Sequence, residues 1–276
     1  MTRQNTEEQH GPYNWCCALY SSPGGAYNFD LDQLAPEHIL YLEDVSKRIR
    51  GVLADETILD TRRGKMLHET GEFIQWYVPL EDVRPGVLKP SDKRTSDPYK
   101  GDATFYNICI GERVQTDAAW SYQRPPQTSL PLSGLVAFDF DRLDAWFEED
   151  DQILGHPRDP YHRFDCRHTS EHVEVRVGGE TIADTRRAIK LFETSMPPRY
   201  YISVEDVKPG ALTPSDTRTL CPYKGEAAYY NVRGGAQTLT DGAWTLPAPY
   251  GEAVVTLDHV SFWGDELAVY ADGKRV

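Results

Sequence analysis

The chain has 276 residues, a formal net charge of −14 at pH 7 and 39% hydrophobic residues. This length and composition are typical of one large or two small folded domains, and they exclude a chain that is disordered throughout. The acidic balance repels phosphate backbones and anionic lipid headgroups. We therefore expect neither nucleic acid nor a membrane among its partners.

The first residues of the chain, MTRQNTEEQHGPYNW, contain no apolar segment of the kind found in secretion signals. No window of the sequence approaches the ~18 consecutive apolar residues that a membrane-spanning helix needs. The five cysteines are an odd set, unlike the dense, even frameworks of small secreted domains. We therefore expect a cytoplasmic protein with reduced thiols, and the sequence leaves its oligomeric state open.

Residues 1–46 are predicted to form an N-terminal arm ahead of the repeated part of the chain. Between Leu31 and Ile49 the spacing of apolar residues is compatible with a helix that is interrupted at Pro36. We expect little helix anywhere else in the chain.

An internal repeat dominates the remaining sequence. Shifting the chain by 124 residues places Asp60 on Asp184, and 26 of the 48 positions from Asp60 to Asn107 are then identical. Such a gap-free match indicates a tandem duplication. We predict a first repeat at residues 47–147, a linker at 148–171 that is rich in charge, His and Pro, and a second repeat at 172–276.

The hydrophobic pattern within each repeat has a period of two, which is typical of strands. Val173, Val175 and Val177 alternate with polar residues before Gly178-Gly179, and this pattern predicts a β-hairpin. We therefore expect a mainly β protein made of two tandem small antiparallel β domains, barrel-like or similar.

Motifs of the second repeat resemble the domain of unknown function 427 family. They are Ile182-Ala183-Asp184-Thr185-Arg186-Arg187, Arg199-Tyr200-Tyr201, Glu205-Asp206-Val207, Cys221-Pro222-Tyr223-Lys224-Gly225 and Ala243-Trp244. The first repeat departs from the family pattern at Asp97, which replaces Cys221, and at Gln75, which replaces Arg199. The resemblance implies a β-tent-like domain without the paired C-x-x-C zinc knuckles of its metal-binding relatives.

The same resemblance implies a nucleotidyltransferase-like activity, because the family sometimes carries that label. Such enzymes place a Gly-Ser pair ahead of two carboxylates that hold Mg²⁺. The nearest match is Gly24-Gly25 ahead of Asp30 and Asp32, which lies in the arm at a short spacing.

Each repeat carries a glutamate on a strand that faces the core. Glu193 shares a face with Leu191, and Glu69 is its counterpart in the first repeat. A core-facing carboxylate is paired or has a raised pKa. We expect Arg186 to be the partner of Glu193 or Asp184. The pair is then either a general acid or base poised beside an arginine, or a structural ion pair.

The Pro-Tyr-Lys-Gly turn presents a phenol and an ammonium side by side. Lys224 can hold a carboxylate, phosphate or enolate while Tyr223 donates a proton. The alternative is a turn that needs only its Pro and its Gly, with the tyrosine packed. The predicted catalytic residues are Glu193, Tyr223, Lys224 and Arg186. The predicted substrate-binding residues are Arg199, Tyr201, Trp244, Glu69, Tyr99, Lys100, Arg62 and His162.

These groups suit a metal-independent enzyme that acts on a small, anionic organic molecule by acid–base and oxyanion chemistry, as isomerases, lyases and cyclases do. We expect no metal and no cofactor, because the sequence has neither C-x-x-C pairs nor a standard His motif. The alternatives are a non-catalytic module for a small ligand or peptide terminus, and a scaffold. Because Asp97 partly neutralises the first turn, we expect function to be concentrated in the second repeat.

Overall fold

A computed structural model of the chain describes residues 38–127, 129–194 and 196–276. The chain divides into two compact units between Asp159 and Pro160. Residues 1–37, which include most of the predicted arm and the Gly24-Gly25 motif, lie outside the described residues. Within the described residues, no helix is long and apolar enough to cross a membrane.

The first unit consists of two antiparallel sheets. Its strands are β1 (Leu40–Asp44), β2 (Ile49–Leu53), β3 (Glu56–Thr61), β4 (Lys65–Glu69), β5 (Gln75–Pro79), β6 (Leu88–Asp97), β7 (Gly101–Ile110), β8 (Arg113–Tyr122), β9 (Leu135–Phe138), β10 (Ala145–Glu148) and β11 (Asp151–Ile153). Seven strands form one sheet in the order β1-β4-β5-β9-β8-β7-β6, and four form the other in the order β11-β10-β2-β3.

The second unit repeats this arrangement strand for strand. Its strands are β12 (Phe164–His168), β13 (Val173–Val177), β14 (Glu180–Thr185), β15 (Ile189–Glu193), β16 (Arg199–Ser203), β17 (Leu212–Cys221), β18 (Gly225–Gly234), β19 (Gln237–Thr245), β20 (His259–Phe262), β21 (Leu267–Ala271) and β22 (Lys274–Arg275). The orders β12-β15-β16-β20-β19-β18-β17 and β14-β13-β21-β22 match those of the first unit.

The predicted β-rich, antiparallel fold is confirmed. In β13 the three valines are buried while Glu174 and Arg176 are not, and Gly178 and Gly179 make the predicted turn to β14 with positive φ values. The helical elements of the described residues are short 3₁₀ turns at Leu80–Asp82, Phe140–Arg142, Val204–Asp206 and Gly251–Thr256. Every sheet there is open, so the barrel-like form of the prediction does not occur in the described chain.

Each seven-stranded sheet is packed on both faces. In β16, Tyr200 and Ile202 point into a cluster shared with the four-stranded sheet, whereas Tyr201 between them belongs to a separate cluster with Leu191 and Leu246. Neighbouring residues of a strand face opposite ways. The second cluster therefore lies on the outer face, and the first unit has the same division.

Both units begin earlier than residues 47 and 172, where the sequence places the repeats. Strand β1 pairs with β4, and β12, which lies within the predicted linker, pairs with β15. The predicted helix is wrong over its described part, because Leu40 and Leu42 pack on the outer-face cluster while Tyr41 between them is exposed. That alternation belongs to an edge strand.

Candidate functional site

A histidine, a glutamate and a lysine meet at one end of the second unit. Glu193 is the last residue of β15 and lies opposite Phe164 of β12, so His162, two residues earlier, is brought beside the carboxylate. Thr194 fixes this register because its side chain accepts the Arg163 N–H at 2.9 Å. The Glu-Thr motif thus positions both the carboxylate and the histidine.

The lysine comes from the three-residue turn between β17 and β18. Cys221 pairs with Gly225 across the turn, which leaves Pro222, Tyr223 and Lys224 outside the ladder. Gly225 has φ of 107°, a conformation that side-chain-bearing residues rarely adopt. The turn is also held from outside, because the Lys224 carbonyl accepts the N–H of Tyr250 at 3.1 Å.

These elements bring four predicted site residues into contact. The Lys224 Nζ lies 2.6 Å from Glu193 Oε2, and the His162 Nε2 lies 3.0 Å from Glu193 Oε1. The rings of His162 and Tyr223 have centroids 4.4 Å apart. The Glu193 side chain is 7% exposed and that of Lys224 is 16% exposed. The cluster is therefore a nearly buried ion pair with a histidine on its second carboxylate oxygen.

Glu193 is ionised at neutral pH. Burial raises the pKa of its carboxyl, but the hydrogen bond with His162 and the charge and hydrogen bond of Lys224 outweigh burial and lower the pKa to about 2. A carboxylate of this kind only accepts hydrogen bonds. We therefore assign a proton to Nε2 of His162 in this contact.

Three more predicted residues share the outer sheet face with this cluster. The Trp244 indole donates to the Tyr201 hydroxyl at 3.2 Å, and the Arg199 guanidinium lies 5.2 Å from the centre of the Trp244 ring. Burial raises the pKa of Tyr201 to about 12, so its hydroxyl keeps its proton. The outer face thus combines aromatic surface, a phenol and a second cation.

The first unit holds the same constellation with one added carboxylate. The Lys100 ammonium pairs with Glu69, His38 Nε2 lies 3.1 Å from Glu69 Oε1, and the His38 ring stacks on Tyr99 at 4.0 Å. Lys100 also lies 3.1 Å from Asp97, whose other oxygen accepts two N–H groups of the turn. Among the described residues, Lys100 therefore has two carboxylate partners, whereas Lys224 has one, Glu193.

Arg186 was predicted to pair with Glu193 or Asp184, and the structure places it elsewhere. Val175 faces Ala183 and Arg176 faces Thr181, so Ile182 is the extra residue of a β-bulge. The bulge breaks the alternation on which the prediction rested. Arg186 is exposed beyond the end of β14, and Asp184 pairs with His172 at 2.8 Å.

Arg62 likewise does not belong to the cluster of Glu69, Lys100 and His38, as far as the described residues show. Its guanidinium pairs with Glu149 at 3.3 Å on an exposed edge.

The Thr-Arg-Arg and Glu-Asp-Val motifs have a structural role. The Arg187 guanidinium donates to both oxygens of Asp206, at 2.9 Å and 2.8 Å. The Thr185 hydroxyl donates to the same carboxylate at 2.6 Å. Arg63, Asp82 and Thr61 repeat the arrangement in the first unit. These contacts tie the 3₁₀ turn to the end of the neighbouring strand.

His38 is a site residue that the sequence reasoning missed. The shift of 124 residues places His38 on His162 just as it places Glu69 on Glu193. The match lies outside the segment where identity is dense, and the two histidines become neighbours of the glutamates only through pairing of β1 and β12.

Replacing Gly225 with Ala tests how closely the turn is held. A Cβ at this position would lie 2.8 Å from the Ala248 carbonyl oxygen in addition to straining φ, and we expect a loss of about 1–3 kcal/mol. Gly210→Ala is the control, because its φ is 79° and nothing lies within 4 Å of its Cβ position. Denaturant unfolding of both variants measures the difference. Equal losses of unfolding free energy in the two variants would show that the backbone at Ala248 moves away from the new Cβ at no energetic cost.

One protein family matches both units. The family described as a domain of unknown function (DUF427) matches residues 41–149 and 165–273, which together are more than half of the chain. The chain belongs to this family. Its two DUF427 matches confirm the tandem arrangement expected from the repeat, and the family model also carries a nucleotidyltransferase-like name. Comparison with curated proteins gave no match.

Proposed function

We propose that the second unit binds a small anionic organic molecule and catalyses proton transfer on it, as isomerases, lyases and cyclases do. The observation that carries the proposal is the contact of His162 with an ionised, buried Glu193. A carboxylate in this position orients an imidazole and stabilises it once it has taken a proton. The proposed base is therefore His162 rather than Glu193, whose low pKa makes it a poor proton carrier at neutral pH.

The proposed anion site is formed by Lys224 and Arg199. An ammonium has three donors, and a single carboxylate, Glu193, pairs with Lys224 within the described residues. A ligand oxygen can take a remaining donor, and a developing enolate would be stabilised there. The Arg199 guanidinium over Trp244 adds a second positive charge on the same sheet face.

The proposed proton donors are the two phenols. The Tyr223 ring lies beside the imidazole, tilted by 30°, and Tyr201 keeps its proton because burial raises its pKa. With a base at His162, such a donor allows a proton to be removed from one atom of a ligand and supplied to another.

Exchange of carbon-bound hydrogen tests the proposal without knowledge of the substrate. The full chain is incubated in D₂O with a panel of 2-oxo acids, and proton NMR follows loss of the signal next to the carbonyl. We expect exchange with at least one member, and His162→Asn to slow it by about 10²–10⁴-fold. His38→Asn is the matched control and should retain most of the rate. Equal losses in the two variants, or no exchange with any probe, would contradict proton transfer in the second unit.

A non-catalytic binding module is the second candidate. It is favoured by the mutual pairing of Glu193, Lys224 and His162, since these groups satisfy one another before any ligand arrives. Saturable binding of a 2-oxo acid without exchange, lost in the double variant Lys224→Met with Glu193→Gln, would support this alternative. The nucleotidyltransferase-like alternative has the family name in its favour, and its candidate motif at Gly24-Gly25 lies outside the described residues.

A further inference from the structure

A cavity opens at one end of the second unit, on the inner face of the seven-stranded sheet. Its volume is about 250 Å³. Its lining includes Tyr200, Ile202, Phe262, Val269, Trp263 and Arg275. Tyr200 and Ile202 point away from the side of the sheet that carries Tyr201. The cavity therefore lies on the sheet face opposite Tyr201, although Arg199 of the proposed anion site and Asp265 are also among its lining residues.

In the first unit the same space is filled by aromatic side chains. Trp146 pairs with Gly51, and its counterpart Val269 pairs with Val175 at the equivalent step of the ladder. Trp146 is 3% exposed, stacks on Phe140 with ring centroids 5.2 Å apart, and donates its indole N–H to the Phe140 carbonyl at 3.0 Å.

The second unit lacks both rings. By strand pairing, Val269 takes the place of Trp146, one residue earlier than the 124-residue shift would put it. On that shift Gly264 stands at the position of Phe140. The aromatic walls remain, because Tyr200 and Phe262 stand where the first unit has Trp76 and Phe138. The loss is thus confined to the two rings that would occupy the cavity.

We infer that this cavity binds a flat aromatic carboxylate whose ring takes the place of the missing side chains. The first unit supplies the template, since its indole stacks on a phenyl ring and meets the wall residues Trp76 and Phe138 edge-on. A pocket of this size lies just below the range of about 300–1,000 Å³ that holds drug-sized molecules. It suits one bicyclic ring system with a short side chain.

The acid group of the ligand is placed by Arg275. This residue lines the cavity from β22 and pairs with Tyr270, whereas the first unit has Gln152 opposite Phe147 at the same step. An arginine at the rim of an aromatic slot pairs with a carboxylate and also stacks on rings. Loss of two rings and gain of a guanidinium therefore occur in the same place.

Binding of indole-3-acetate to the full chain tests the inference. Titration calorimetry should give saturable binding, and the uncharged analogue indole-3-acetamide should bind about tenfold more weakly. Arg275→Gln should remove this preference for the acid. Lys274→Gln is the matched control, because it removes an equal charge from the adjacent residue, which does not line the cavity.

Filling the cavity tests the placement of the ring. The double variant Val175→Gly with Val269→Trp restores the residue pair of the first unit, and it should weaken binding at least about tenfold. Should this variant fail to fold, the Arg275→Gln and Lys274→Gln pair still decides the question. Undiminished binding in the filled variant, equal affinity for acid and amide, or no binding of either probe would overturn the inference.

Discussion

Lys224→Met is expected to destabilise the second unit by about 3–5 kcal/mol and to abolish the proton exchange proposed for it. Removing one member of a buried ion pair leaves the other charge without compensation, and Glu193 is 7% exposed. Hydrogen exchange of peptides from β15 and β18, followed by mass spectrometry on the full chain, measures the stability of this unit separately.

The double variant Lys224→Met with Glu193→Gln separates the charge from the packing. The double variant should recover most of the stability that Lys224→Met loses, because neither charge remains and the effects of the two substitutions are coupled. Lys100→Met is the matched variant of the first unit. It should lower the protection of β4 and β7 against hydrogen exchange, because Glu69 and Asp97 both lose their cation. The proton exchange proposed for the second unit should persist. A double variant no more stable than Lys224→Met would argue against coupling of the pair.

Acid is expected to weaken the second unit through Glu193. Its pKa falls from an ordinary value of 4.5 to about 2 in the folded chain. At about 1.4 kcal/mol for each pH unit, this corresponds to about 3 kcal/mol of stability. A lowered pKa means that the unfolded chain binds the proton first. The contribution is therefore complete above pH 4.5 and is lost as the pH falls toward 2.

Comparison of the parent chain with Glu193→Gln isolates this effect from the other carboxylates. The difference in unfolding free energy between the two proteins should shrink steadily from pH 5 to pH 2. A difference that does not change over this range would show that Glu193 has the same pKa in the folded and unfolded chains.

Local sequence pattern was sufficient wherever the ladder is regular. The alternating valines of β13 and the glycines after them predicted a hairpin with correct burial. The Leu-x-Glu spacing likewise placed Glu193 toward packed apolar residues. These inferences depend only on the period of a strand, in which residues two positions apart face the same side of the sheet.

Tertiary pairing decided what the sequence reasoning missed. The partner of Glu193 is Lys224 rather than Arg186, because a bulge at Ile182 shifts the face of every later residue in β14. His162 was predicted to bind substrate but not to touch Glu193, since that contact arises only when β12 adds to the sheet edge. Neither a bulge nor a long-range pairing has a period that can be read along the chain.

The histidines occupy an unusual position relative to the recognisable domain. His38 and His162 precede the family matches, which begin at residues 41 and 165, and each is attached to the sheet through an edge strand, β1 or β12. Edge strands open more readily than central ones. Fraying of β12 would withdraw the imidazole while the Glu193–Lys224 pair stays closed, so the unit would lose its proposed proton acceptor without unfolding. A fragment cut at the family boundaries would be held permanently in that histidine-free state.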